Sequence, residues 1–224
     1  MIPWQSVTDL GDAAFVLTVA TGIAAWLIAT DSPRTAAYWI VSFSVAMVIV
    51  VGTKIAFWGW GIGIRSLDFT GISGHCMLAA AVFPVLAYLL SLRTPRQMRI
   101  VVVACGFLLA LVIGVSRVIL HAHSIFEVVT GLVLGNVVAI AFMRQPLRRT
   151  RLAAPTLAVA VLVALFGIVA YGHHAHAEHW IVAVALKVSG REHPFTRIGW
   201  HAHPGKVDAA PRYRIAWAAD FDRC

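Results

Sequence analysis

The sequence predicts an all-α fold, a polytopic transmembrane helical bundle of about six spans, and three observations predict it. Of the 224 residues, 60% are hydrophobic and only 12% charged, where a soluble domain carries roughly 25% charged residues. Apolar runs of about the 20 residues that a helix needs to cross a bilayer recur along the chain. The gaps between them are short and hold most of the arginines. With a mean hydropathy of +0.82, too little polar surface remains to cover a water-soluble globule of this size.

The apolar runs fall at about 13–30, 36–53, 75–92, 99–116, 124–143 and 153–171, and charges bound them. The first closes before Arg34, the second stops at Lys54 and the third stops at Arg93. The fourth ends against Arg117, the fifth against Arg144, and the sixth follows Arg151. Glu127, near the start of the fifth run, is an ionisable residue at a helix entry into the membrane and so a functional candidate. Residues 172–224 differ, with seven His, three Pro and no spanning run. The expected organisation is a transmembrane domain over 1–171 and a His-rich extramembrane tail over 172–224. Within that tail, His179 to Val188 is amphipathic enough to lie in the interface.

Charge bias orients the bundle. If six helices alternate, the loops 31–35, 93–98 and 144–152 share one side with Arg34, Arg93, Arg96, Arg99, Arg144, Arg148, Arg149 and Arg151. The opposite loops, 54–74 and 117–123, hold only Lys54, Arg65 and Arg117. The Arg-rich side is then cytoplasmic by the positive-inside rule, and both termini, the tail and the sparse loops face outward. The formal charge of +8 is explained by this topology and by an anionic substrate; without a basic helix face or an aromatic platform, no nucleic acid is expected. Cys76 and Cys105 lie in apolar segments and Cys224 is terminal, so no disulfide framework is implied. MIPWQSVTDLGD lacks Lys and Arg, so a cleavable signal peptide is not expected. Trp4, Trp58, Trp60 and Trp180 read as interfacial belt residues.

Chemistry gathers in the sparse loops. After the second run come Lys54 and Arg65, then Ser73-Gly74-His75 as the third helix opens; after the fourth come Ser116-Arg117, His123 and Glu127. Three polar clusters separated by spans thus share the outward side. Ser-Gly at a helix start offers a hydroxyl and free backbone N–H groups at the positive end of the dipole, a phosphate cradle, and glycine admits an anion closely. Lys54, Arg65 and Arg117 supply positive charge, the arginines with a fork suited to phosphate oxygens. His123 and Glu127, four apart, share a helix face. A carboxylate on one ring nitrogen fixes the tautomer and leaves the other nitrogen free to attack, while His75 is placed to protonate the leaving oxygen. Two His, one carboxylate and three cations make a complete set for phosphoryl transfer, and no metal or other cofactor is expected.

The ordered set resembles the type 2 phosphatidic acid phosphatase (PAP2) superfamily, whose signature is KxxxxxxRP, PSGH and SRxxxxxHxxxD. Ser116, Arg117, His123 and Glu127 reproduce the third motif, with Glu for Asp; Ser73, Gly74 and His75 reproduce the second, with Ile72 for Pro. In the first motif ten residues rather than six separate Lys54 from Arg65, and Ser66 stands for Pro. On a continuous helix both spacings return to nearly the same face. The resemblance covers about residues 50–140. It implies a helical membrane core in which His123 is the nucleophile, Glu127 orients it and His75 is the acid. Lys54, Arg65, Ser73, Gly74 and Arg117 would bind phosphate.

The expected activity is metal-independent hydrolysis of a lipid phosphate or pyrophosphate at the outer face of the inner (plasma) membrane, through a phosphohistidine. Undecaprenyl pyrophosphate is slightly preferred over phosphatidic acid and phosphatidylglycerol phosphate on the resemblance. The rivals are a lipid phosphotransferase on the same fold and a non-catalytic lipid- or metal-binding membrane protein. The cluster His173, His174, His176 and His179 has spacings that suit a transition metal, although solvated histidines are the commoner case. His121 competes with His123, but its gap from Arg117 and its lack of a carboxylate four residues on favour His123. Asp68 reads as a turn cap or a headgroup contact. The bilayer and the lipid substrate are the expected partners, and the residues carry no signal of oligomeric state.

Overall fold

The computed structural model describes residues 4–30, 33–146 and 177–202. The described elements are helical: α1 (Trp4–Asp9), α2 (Ala13–Ala29), α3 (Pro33–Trp60), a 3-10 turn (Arg65–Leu67), α4 (Gly74–Leu90), α5 (Arg96–Ile119), α6 (Ile125–Met143), α7 (Ala177–Ser189) and α8 (Arg197–Ala202). Four stretches are long and apolar enough to cross a membrane: Trp4–Ala29, Pro33–Trp60, Arg96–Ile119 and Ile125–Met143. Gly74–Leu90 is apolar but shorter. Five of the six expected runs are therefore helices, and the sixth, 153–171, lies outside the described residues.

The short α4 sits at the centre. Cys76, Met77, Leu78, Ala79, Ala80, Ala81, Val82 and Val85 are all buried there, because α5 and α6 pack along it. Small residues let the backbones close, since apolar helices in lipid associate by packing rather than by hydrophobic exclusion. A Cβ at Gly131 of α6 would stand 2.6 Å from the Ser73 carbonyl oxygen, and one at Gly106 of α5 would stand 2.9 Å from the Phe83 carbonyl oxygen. Away from the site, Trp39 anchors α3 against α2 and α6: its indole N–H donates to the Ala20 carbonyl at 3.0 Å, and its ring meets Phe142 edge-on at 5.4 Å.

One boundary departs from expectation. Lys54, expected in a loop, lies on α3, which runs on to Trp60, because residues 54–60 hold no proline and a single glycine, Gly59. The 28 residues of α3 span about 42 Å at 1.5 Å per residue, longer than the roughly 30 Å hydrocarbon core. Gly61, in the left-handed region at φ 68°, ends the helix. Lys54 and Arg65 therefore do not share a continuous helix, and the same-face relation between them fails.

The tail segment packs onto the C-terminal end of α3. Ala185 and Val182 of α7 are buried, and Gly59 admits the α7 backbone, since a Cβ there would lie 3.3 Å from the Ala185 carbonyl oxygen. The Phe195 N–H then donates to the Trp58 carbonyl at 3.0 Å, and Trp200 of α8 meets Phe57 edge-on at 5.3 Å.

Candidate active site

The C-terminal ends of α3 and α5 and the N-terminal ends of α4 and α6 meet at one end of the bundle. The Ser73 N–H donates to the Glu127 carbonyl at 3.1 Å, which locks the opening of α4 to the opening of α6. Arg117, in the last turn of α5, reaches back to α1, its Nη1 donating to Thr8 Oγ1 at 3.3 Å.

Glu127 is the centre of the site and is completely buried. Its two oxygens have different duties. Oε2 accepts from His123 Nδ1 at 2.7 Å and from the Ser124 N–H at 3.2 Å. Oε1 accepts from the Thr70 N–H at 2.7 Å, from Thr70 Oγ1 at 2.6 Å and from Arg197 Nη2 at 2.7 Å. Glu127 also occupies the third helical position behind Ser124, whose Oγ accepts from the Glu127 N–H, so the pair forms a capping box. With Nδ1–H donated to the carboxylate, His123 keeps its Nε2 lone pair free. Its side chain is 11% exposed. Burial, first, holds its pKa below the usual value, against the pull of Glu127, and the charges of Lys54 and Arg117 act in the same direction as burial.

His75 is on the first turn of α4, within electrostatic reach of His123, Arg117, Lys54 and Glu178. Ser73 precedes that helix but gives it no side-chain cap, so the first N–H groups of α4 are uncommitted within the helix. A Cβ at Gly74 would meet Val50, at 3.8 Å, and no other side chain or backbone closely, so the chain is uncrowded there. Among the described residues, two buried polar atoms here make no hydrogen bond: Ser73 Oγ, which has the Cys76 thiol as a neighbour, and Arg117 Nε. Lys54 Nζ pairs with Glu178 Oε1 at 2.8 Å and lies 5.3 Å over the Trp58 ring. Lys54 lowers the pKa of Glu178 most; the charges of His123 and His75 lower it further, against burial.

Arg65, an expected phosphate ligand, and His121, the rival to His123, are both exposed. Arg65 lies on the 3-10 turn, with its guanidinium 5.2 Å over the Trp200 ring. His121 stands at φ 53°, and His123 holds the carboxylate. Asp68 accepts from Arg197 Nη1 at 3.1 Å. Of the tail histidines, His173, His174 and His176 lie outside the described residues. The sequence reading missed Thr70, Ser124, Glu178 and Arg197. Ser124-x-x-Glu127 was legible as a capping box. Glu178 and Arg197 carry no local signal, because they reach the site only through tertiary packing.

The arrangement can hold an anion between cations and helix N–H groups and present a neutral imidazole to it. Comparison with known proteins identifies the family. Residues 56–151 match the family model described as PAP2 superfamily. An "Uncharacterized 22.5 kDa protein in cps region" of Klebsiella pneumoniae is 35% identical over 204 residues, covering 88% of this chain and 97% of that one. Phosphatidylglycerophosphatase B of Bacillus subtilis (strain 168) is 36% identical over 75 residues, covering 32% of this chain and 36% of that one. No solved structure matches. With the motifs, the helical membrane core and these matches together, the chain belongs to the PAP2 superfamily of membrane phosphatases.

Proposed function

We propose that the chain hydrolyses a lipid-linked phosphate or pyrophosphate in two steps through phospho-His123, without a metal. The observation that carries this reading is the 2.7 Å contact of His123 Nδ1 with the buried Glu127, which leaves Nε2 as a neutral nucleophile. Nε2 attacks phosphorus as the phosphorus–oxygen bond to the lipid breaks, and His75 gives a proton to the leaving oxygen. Glu127 stabilises the charge that develops on His123. Water, deprotonated by His75, then attacks the phosphohistidine, the phosphorus–nitrogen bond breaks and phosphate departs. Lys54, Arg117, Ser73 and the N–H groups of Gly74 and His75 would hold the non-bridging oxygens; a phosphate oxygen would satisfy Ser73 Oγ and Arg117 Nε.

The site would face outward. Arg34, Arg93, Arg96, Arg99 and Arg144 sit at the other end of the helices that carry the site, and the positive-inside rule puts that end in the cytoplasm. A site at headgroup depth suits removal of a charged group from an interfacial lipid. Polyprenyl pyrophosphate remains the preferred substrate class, with phosphatidic acid and phosphatidylglycerol phosphate as the alternatives. The test is a phosphate-release panel over these lipids in detergent, with chelator present, for the wild-type protein and His123→Ala. Turnover unaffected by chelator and abolished in a folded His123→Ala protein is expected; sustained turnover in that variant refutes the phosphohistidine.

A further inference from the structure

We propose that Arg197, from the tail segment, is a positioning residue for phosphoryl transfer, holding Glu127 so that one oxygen is committed to His123. The inference rests on the reading of His123 as nucleophile and extends it to a residue 70 positions further along the chain.

The guanidinium uses its two prongs on different elements. Nη2 donates to Glu127 Oε1 at 2.7 Å and to Thr70 Oγ1 at 3.1 Å, and Nη1 donates to Asp68 Oδ2 at 3.1 Å. The 61–73 loop, α6 and α8 are thereby joined at one cation. A carboxylate with no exposure needs its charge compensated and its lone pairs filled, and on the Oε1 side Arg197 and Thr70 do both. The carboxylate plane is then fixed, and Oε2 is left to His123 and the Ser124 N–H. Charge acts alongside geometry. A cation on Oε1 draws carboxylate charge away from Oε2, which weakens the pull on the Nδ1 proton and favours neutral His123. The other groups facing His123 are His75 on α4, Lys54 on α3, Arg117 on α5 and Glu178 on α7, and none of them touches Glu127 Oε1.

The segment carrying Arg197 has other attachments, so the residue can be changed without releasing it. Trp200 packs on Phe57 and under Arg65, and the Phe195 N–H is bonded to Trp58. Positioning can therefore be separated from docking of the tail.

The experiment compares Arg197→Gln, Arg197→Lys and Trp200→Ala in the full-length protein in detergent, measuring kcat, KM and the pH profile of kcat/KM for one lipid phosphate. For Arg197→Gln, kcat should fall about 10- to 100-fold, the range typical when a group orienting a catalytic ligand is lost, with KM within about threefold, a split that marks transition-state stabilisation. The acid limb of kcat/KM should move to higher pH, because Glu127 then holds the imidazolium more tightly. Arg197→Lys keeps the charge but not the fork, so it should restore the limb and only part of kcat. Trp200→Ala, which loosens the same segment, should leave the limb in place. The proposal is overturned if Arg197→Gln keeps wild-type kcat and limb, if it changes KM alone, or if Trp200→Ala gives the same limb shift. Activity surviving in His123→Ala would overturn the underlying reading instead, whatever Arg197 does.

Discussion

Replacing Glu127 by Gln tests the site most sharply, because the structure says what the amide must do. The five hydrogen bonds to the Glu127 carboxylate all deliver a proton to it, and a glutamine presents one oxygen and one NH2. With the NH2 at the Oε1 position it would face the Thr70 N–H and the Arg197 guanidinium, neither of which accepts. At the Oε2 position it would face the Ser124 N–H and His123 Nδ1. The imidazole can adapt, by moving its proton to Nε2 and accepting at Nδ1, which leaves one unaccepting donor there against two at the Oε1 position, where the Thr70 hydroxyl alone could turn to accept. That orientation is therefore favoured, and it places a proton on the nitrogen that must attack. Loss of the nucleophilic tautomer and of the counter-charge should lower kcat by about 10³- to 10⁴-fold, or about 4–5.5 kcal/mol at 1.36 kcal/mol per decade. Folding should also suffer, since Arg197 is left with Asp68 as its remaining carboxylate; breaking a wholly buried pair costs about 3–5 kcal/mol, and the 33% exposure of the Arg197 side chain makes the loss smaller. The assay is kcat for phosphate release at saturating lipid phosphate, with thermal unfolding in the same detergent. A Glu127→Gln protein within tenfold of wild-type kcat would show that the Nδ1 contact does not set the reactive tautomer.

Four further outcomes are expected. Because burial holds the His123 pKa below the usual 6.5, the protonated, inert form accumulates only at lower pH; the acid limb of kcat/KM should lie below pH 6.5, and a limb above it contradicts the burial. His75→Ala should slow hydrolysis of phosphomonoesters more than of pyrophosphates, whose leaving group needs less protonation, and equal losses on both would remove His75 as the acid. Arg117→Ala should cost at least tenfold more kcat/KM than Arg65→Ala, since Arg65 stacks on Trp200; equal losses would show that Arg65 meets the substrate. Glu178→Gln frees Lys54 from a carboxylate that competes with phosphate, and should lower KM. The Glu178 side chain is 64% exposed, so screening limits the effect to about 0.2–1 kcal/mol, or about 1.4- to 5-fold in KM; an unchanged or raised KM would dismiss the competition.

Much of this was legible because local rules govern it. Hydropathy located five of the helices that the structure describes, and the four-residue spacing pointed to the His123–Glu127 contact, although His123 stands just before the helix that Glu127 opens and the two share no helix face. The end of α3 was misplaced because a charge was taken as a boundary. A lysine near a helix end can carry its ammonium clear of the hydrocarbon without ending the helix, and Gly61, the actual stop, lies seven residues on. Arg65 has a partner that a one-dimensional motif does not show: the motif assigns it to phosphate, and Trp200, 135 positions away, offers its guanidinium a ring. Glu178 and Arg197 were invisible, because which tail residue meets which loop is decided by the packing of α7 and α8 on α3.

The glutamate at position 127, in place of aspartate, is where these levels meet. An aspartate is one methylene shorter, while the observed carboxylate spans from the Ser124 N–H and His123 on one oxygen to Thr70 and Arg197 on the other. Glutamate is also the residue that a capping box takes at its third position, so helix entry and histidine orientation draw on the same atoms. The donors on Oε1 come from the loop and the tail, which ties the carboxylate's geometry to a segment more than 50 residues beyond α6. The longer side chain and Arg197 are therefore one device. Glu127→Asp alone should withdraw from the guanidinium and lose more activity than an inspection of the motif suggests, measurable as a fall in kcat that Arg197→Gln does not deepen further. Additive losses in the double variant would show instead that the two residues act separately.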